Sequence, residues 1–232
     1  MVKLFKYSWC LRNVLRTIWF NFHYLPFKQA IFLPIILYKP KIIAAKGRIL
    51  INGPVRPFMI HLGRPLVYLY PNSGVIFENW GGVITFNGPC IIGNASAISV
   101  GEKGYLSIGG KFKATTSLKI ACYHNINIAK NVLVGWDCLI ADSDFHVLTN
   151  CRNGTLTTGY APIEIGENTW IAMKCTILKG SVLPKCSVLS ACTLYAGVKD
   201  SKEYSVISSS VSPYTKIEGL YRNIDNDQII YK

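Results

Sequence analysis

A parallel β-helix is the fold this sequence predicts, and the first observation behind it is a strict six-residue period of bulky apolar residues. The series is Ile165, Ile171, Ile177, Leu183, Leu189 and Tyr195, and four residues after each of the first five stands something small: Thr169, Cys175, Ser181, Ser187 and Thr193. An α-helix repeats at 3.6 residues and an alternating strand at two, so neither gives six. In a three-sided coil each hexad supplies one side, so about eighteen residues complete a turn, and turns stack at the parallel-strand spacing of about 4.8 Å. The aliphatic then points into the prism and stacks on its equivalent one turn away, while the small residue fits a corner. The second observation is the break. Upstream the series runs Ile128, Val134, Ile140, the next position in frame is His146, and the polar stretch after it has no six-residue pattern. The third is a change of texture at about residue 48, where short apolar runs separated by Gly and Asn begin, as in Ile49-Leu50-Ile51-Asn52-Gly53.

In chain order, residues 1–47 read as a basic, aromatic helical segment. Residues 3–22 fit one helix, with Lys3, Lys6, Arg12 and Arg16 on one side and Leu4, Phe5, Leu11, Leu15, Ile18 and Phe22 spread over the rest. Pro26, Pro34 and Pro40 break up residues 23–41. Two uses of the helix stay open: packing on the coil or a neighbouring subunit, and lying on anionic lipid. Residues 48–198 are assigned to the coil. Phe86, Ile92 and Ile98 keep the period, and so do Ile108, Ile120 and Ile126 with one miss at Ala114. Residues 147–162 read as a protruding loop, the kind of long insertion that usually carries function. Residues 199–232 form a polar tail.

Composition narrows the class. Of 232 residues half are hydrophobic and 16% charged, which describes an ordered globular chain. The eight cysteines make no CxxC pair or metal-ligand cluster, and Cys138 and Cys175 fall at small-residue positions, so they read as small hydrophobes in a reducing compartment. The net charge of +13 is uneven: residues 1–77 hold eleven Lys and Arg and no acid, whereas residues 78–232 hold fourteen bases against twelve acids. Such a segment suits an anionic membrane surface or a polyanionic substrate, and no nucleic-acid-binding motif accompanies it. Neither a secretory signal nor an eighteen-residue apolar run is evident. The expected location is therefore the cytoplasm, with peripheral membrane contact if the helix lies on lipid.

The segment Pro162-Ile163-Glu164-Ile165-Gly166-Glu167-Asn168-Thr169-Trp170-Ile171-Ala172 resembles the P-I-x-I-G-D/E-N-x-W-I-G stretch of bacterial hexapeptide-repeat acyltransferases, with Ala172 in place of the last Gly. Leu189-Ser190-Ala191-Cys192-Thr193 stands at the spacing of that family's I-G-A-G-S. Asp142-Ser143-Asp144-Phe145-His146 resembles the D-x-D-F-H of its acetyltransferases for sugars and surface polysaccharides. The likeness spans residues 48–216. It implies a left-handed coil, although parallel crossovers are otherwise right-handed. It also implies a homotrimer with active sites between neighbouring coils.

The activity implied is O-acetyl transfer from acetyl-CoA, or another acyl-CoA, to a hydroxyl of a sugar or lipid-linked oligosaccharide in surface polysaccharide or lipopolysaccharide synthesis, with no metal required. A hydroxyl is a weak nucleophile and needs a base near neutral pKa, for which His146 is the candidate. Asp142 and Asp144 are candidates to orient His146 or bind acceptor hydroxyls, with a coil corner as the other place for Asp144. Trp170 matches the family tryptophan beside cofactor and acceptor. Coenzyme A contacts are implied for Trp170, Ala172, Met173, Ser190 and Ala191, largely through backbone groups. Lys216 matches the closing basic residue, and Lys199 stands two residues beyond the usual lysine position, which Gly197 occupies. His23, His61 and His124 lie outside the motif and read as structural. Two other functions remain on this scaffold: a non-catalytic binding protein, and a γ-carbonic-anhydrase-like enzyme, which needs three histidines about a zinc.

Overall fold

The structure, a computed structural model, describes residues 2–146, 158–197, 201–209 and 216–218, with side chains for residues 13–146, 158–197 and 201–209. Within it the chain winds through three parallel sheets of nine, seven and six strands, here called faces A, B and C, each turn visiting A, then B, then C. Among the described residues the C-terminal end departs from this order: no face C strand lies between Leu194–Tyr195 on face B and Ser205–Ile207 on face A, and the last strand, Lys216–Glu218, pairs antiparallel with Ser205–Ile207 and ends the parallel stacking.

The inward residues form ladders. On face A, Leu37, Leu62, Ile92, Ala114, Val134, Ile171, Leu189 and Ile207 stack turn on turn and all are buried. Ala114 is thus no interruption but a small rung. Face B stacks Phe77, Ile98, Ile120, Ile140, Ile177 and Tyr195, and face C stacks Ile51, Phe86, Ile108, Ile128, Ile165 and Leu183. Each such side chain contributes about 1.5–3 kcal/mol by leaving water.

The corners explain the small residues. Asn168, Lys174, Gly180, Cys186 and Cys192, again six apart, turn the chain through positive φ of 56–74°. The small residue next to each is buried. Thr169, Ser181 and Ser187 donate a hydroxyl hydrogen bond to the carbonyl three residues back, at 2.8, 2.6 and 2.6 Å. A larger side chain would collide with the next turn, and an aliphatic one would leave that carbonyl without its second partner.

Turns of eighteen residues occur only at the C-terminal end. Ladder partners are 22 residues apart at Cys90 and Phe112, 20 at Ala114 and Val134, and 18 at Ile171 and Leu189. Early strands such as Ser96–Val100 bury three residues per side, late ones such as Trp170–Ile171 only one. The prism therefore narrows along its length, and this wider start is why the six-residue period is imperfect upstream.

The coil also begins earlier than residue 48. Ile35–Leu37 and Pro40–Ala45 are its first strands on faces A and B, so the helical segment ends before Pro34, and Pro34 and Pro40 mark strand starts. At the other end Ser205–Ile207 carries face A beyond residue 198. Helix α1 (Val2–Tyr24) and the short α2 (Phe27–Ala30) cap the first turn. An uncovered first strand would offer a row of unpaired backbone groups. Asn21 closes it by donating to Ile35 O at 2.7 Å and accepting Ile35 N–H at 3.1 Å, and Thr17 Oγ1 accepts Leu37 N–H at 3.2 Å. Arg16 donates to Pro40 O at 2.6 Å, and Phe20 seals the prism with its edge on Phe77. Of the cysteines, Cys90, Cys122, Cys138, Cys175 and Cys186 are buried free thiols, and burial pushes those of Cys90 and Cys122 well up.

Candidate active site

Two cavities contain the candidate residues. The first is a groove of about 590 Å³ on face A. Its floor is an outward ladder, Leu133, Trp170 and Val188, one rung per turn. Ala172, Met173, Ser190 and Ala191 line the same groove, so with Trp170 five of the seven residues expected beside coenzyme A meet there. Lys199 and the side chain of Lys216 lie outside the described residues.

The backbone N–H groups of Ala172 and Ser190 are engaged within the coil. They donate to Leu189 O and Ile207 O at 2.9 and 2.8 Å. Two further groove residues carry no mark in the sequence. Trp136 forms part of the wall, and Gly135 is required because a Cβ there would fall 2.8 Å from Met173 N and 2.9 Å from Ala172 C. Trp136 is braced by an arm, residues 65–74, that leaves the corner between faces A and B. Tyr70 in that arm sets its ring edge on Trp136 at 6.0 Å and donates its hydroxyl to Asp137 at 2.5 Å. This hydrogen bond raises the phenol to about 12 and holds the Asp137 carboxyl below its usual range. The signal for the arm is the run from Pro65 to Gly74, which matches no hexad.

The second cavity, about 440 Å³, is lined by Ser143, Phe145, His146, Gly159 and Tyr160. It lies where the chain leaves face B after Ala141 and re-enters on face C at Ile163. His146 is exposed there and is not a hexad rung; Ile165 stacks on Ile128 in the place the period assigns next. The stem of the loop is a short antiparallel pairing. Ser143 bridges Tyr160, Asp144 N donates to Gly159 O at 2.8 Å and Ala161 N to Asp142 O at 3.1 Å. Most of the loop, residues 147–157, lies outside the described residues.

The two aspartates have tasks of their own. Asp142 is fully buried, and its two carboxylate oxygens accept the backbone N–H groups of Tyr123 and His124, each at 2.8 Å. It therefore presents nothing to an acceptor, and it is Asp142 rather than Asp144 that occupies the coil corner. Its effect on His146 is indirect. The Tyr123 ring meets Phe145 edge-on at 4.8 Å and the His124 ring meets Tyr160 at 4.6 Å, so the residues Asp142 fixes are those that seat the walls of the histidine cavity. Asp144 pairs with Lys179 Nζ at 2.5 Å, and the same ammonium donates to Thr158 O at 2.8 Å. Lys179 thus clamps both arms of the stem, a role with no mark in the sequence, since the lysine belongs to the next turn of the coil.

Groove and histidine are on opposite sides of one chain: in a three-sided prism the corner between B and C faces away from A, and no described residue lines both cavities. His61 is bonded to Tyr38 at 2.9 Å, whereas His124, outside the motif in sequence, is tied by its backbone N–H to Asp142 and packs on Tyr160; among the described residues no three His, Cys, Asp or Glu side chains gather as a metal-holding group.

No protein-family model matches the chain, and no curated protein matches it. Solved structures do. One is the polySia-specific acetyltransferase NeuO, 14% identical, covering 82% of this chain and 74% of that one with a TM-score of 0.54. Another is the polysialic acid O-acetyltransferase OatWY, 18% identical, covering 82% and 92%, with a TM-score of 0.37. The fold is the left-handed parallel β-helix of hexapeptide repeats. At this identity the likeness to NeuO speaks for the fold alone.

Proposed function

We propose that this left-handed β-helix is an O-acetyltransferase that moves an acetyl group from the coenzyme A thioester to a sugar hydroxyl of a surface glycan, in the cytoplasm and as a homotrimer. The observation that carries the reading is the placement of an exposed His146 in a braced, aromatic-walled cavity at a corner, together with a long apolar groove on the opposite face. The same-fold protein NeuO acts on a polymeric sugar by its name, which favours a glycan hydroxyl as acceptor. A net charge of +13 favours an acidic one.

In this reading His146 takes the acceptor hydroxyl proton as the oxygen attacks the thioester carbon, and returns it to the departing thiolate as the tetrahedral intermediate collapses. Trp170 and Val188, with Trp136 and Met173 beside them, would hold the pantetheine arm. Because one chain holds the base and the groove back to back, the reaction centre forms where the corner of one coil meets face A of the next, and three such junctions close a trimer.

The test is release of free thiol from acetyl-CoA by the purified chain with a panel of acidic and neutral glycans. Turnover with at least one is expected, whereas acyl-CoA binding without turnover would favour a binding protein. A Gly135→Ala variant is expected to lose about 1–3 kcal/mol of stability and to bind acyl-CoA more weakly, because its methyl group pushes the Ala172–Met173 backbone. Melting curves with and without acyl-CoA read both effects.

A further inference from the structure

Over residues 13–24 helix α1 is apolar on two sides, and the coil uses only one. Thr17, Phe20 and Asn21 are buried against the first turn. At 100° per residue the opposite side presents Leu15, Ile18, Trp19 and Phe22, and all four are exposed, Leu15 by 58% and Trp19 and Phe22 by 46% each. The patch continues through Phe27, exposed by 72%, whose ring touches Phe22 at 6.0 Å, and on to Ile31 and Phe32. An outer helix face in water is ordinarily polar, and an apolar patch of this extent marks a contact.

Charge identifies the partner. Arg16 lies on the flank of α1 between the buried and exposed sides, Lys28 stands beside Phe27, and exposed Lys41, Lys46 and Arg48 come next on the first turn. No acidic residue precedes Glu78, so none of the eleven cations before it has an acidic neighbour in sequence. A second copy of this face would bring like charge against like. An anionic lipid surface instead accepts the aromatics among its acyl chains and the cations at its phosphates. Among the described residues no helix is long and apolar enough to cross a membrane.

We propose that the α1–α2 cap is a docking surface for an anionic lipid bilayer, with Leu15, Ile18, Trp19, Phe22 and Phe27 inserted and Arg16, Lys28 and Lys41 at the headgroups. The prism axis then stands away from the bilayer, and the His146 turn, four turns beyond the first, lies roughly 20 Å past the first turn and, with the helix cap between, roughly 30 Å from the lipid. This suits an acceptor that is itself tied to lipid. The docking does not depend on the acetyl-transfer reading, and its test uses no enzyme activity.

The experiment is co-sedimentation of the full chain with vesicles of phosphatidylcholine alone and of phosphatidylcholine with phosphatidylglycerol in a two-to-one ratio, across a salt series. Binding is expected to the mixed vesicles, weakening with salt. A Leu15→Gln/Phe22→Gln variant should keep the wild-type melting temperature, because both side chains face water, and should lose about tenfold or more in partitioning. A Lys28→Glu/Lys41→Glu variant should lose the preference for phosphatidylglycerol. Equal sedimentation of wild type and the Gln variant, no binding to mixed vesicles, or a change of oligomeric state in the Gln variant would overturn the proposal, the last by making the patch a subunit contact.

Discussion

Replacing His146 by Ala should lower kcat for acetyl transfer by about 10²- to 10⁴-fold, the range that a positioned general base supplies. The melting temperature should not move, because the imidazole is exposed and outside the ladders. Wild-type turnover in the variant would remove His146 from the chemistry. The arrangement of the two cavities adds a sharper check. Co-assembly of a His146→Ala chain with a Trp170→Ala chain, whose groove has lost its aromatic floor, should recover part of the activity, because in the proposed trimer a mixed assembly contains a junction where an intact histidine meets an intact groove. If base and groove served the same chain, mixing would restore nothing.

Asp142→Asn is expected to be the most damaging single change outside the chemistry itself. An amide has one acceptor oxygen, so one of the N–H groups of Tyr123 and His124 would face an amide donor at a fully buried site. Leaving such a donor unsatisfied costs about 1–3 kcal/mol, which in a chain of this length lowers Tm by roughly 2–4 °C per kcal/mol. Activity should fall further than stability does, because Tyr123 and His124 seat Phe145 and Tyr160, the walls around His146. The separation is measurable: at a temperature where the variant is fully folded, kcat should be reduced while acyl-CoA affinity, which the proposed function assigns to the far face, is kept. Loss of affinity in step with kcat would mean that the coil as a whole had loosened.

Much of the coil is legible in the residues because its determinants are local and periodic. Ile165, Ile171 and Ile177 announce three successive inward rungs, and Thr169, Cys175 and Ser181 announce the corners between them. The first turns are harder to read: with strands of up to five or six residues per side, several side chains point inward, and the six-residue signal dissolves into alternation. Pro40 therefore looks like a breaker when it opens a strand. The five expected groove residues are legible because they fall in two short stretches of regular hexads, Trp170 to Met173 and Ser190 to Ala191, that lie one turn apart. Trp136, Gly135 and the arm that carries Tyr70 are not, because they reach the groove from turns remote in sequence.

What the sequence determined by itself is the period, the place where it stops, and the histidine at that place, all properties of nearest neighbours along the chain. The tertiary structure decided which partners the charged groups take. Asp142 meets amides nineteen and eighteen residues away, Asp144 meets Lys179, and these pairings exist only because successive turns stack. It also decided that His146 and the groove lie on opposite sides of one chain, a consequence of which face each hexad occupies. A repeat specifies its own spacing locally, but which side of the prism a residue serves depends on every insertion before it, from the arm at residues 65–74 to the loop that begins after Ala141.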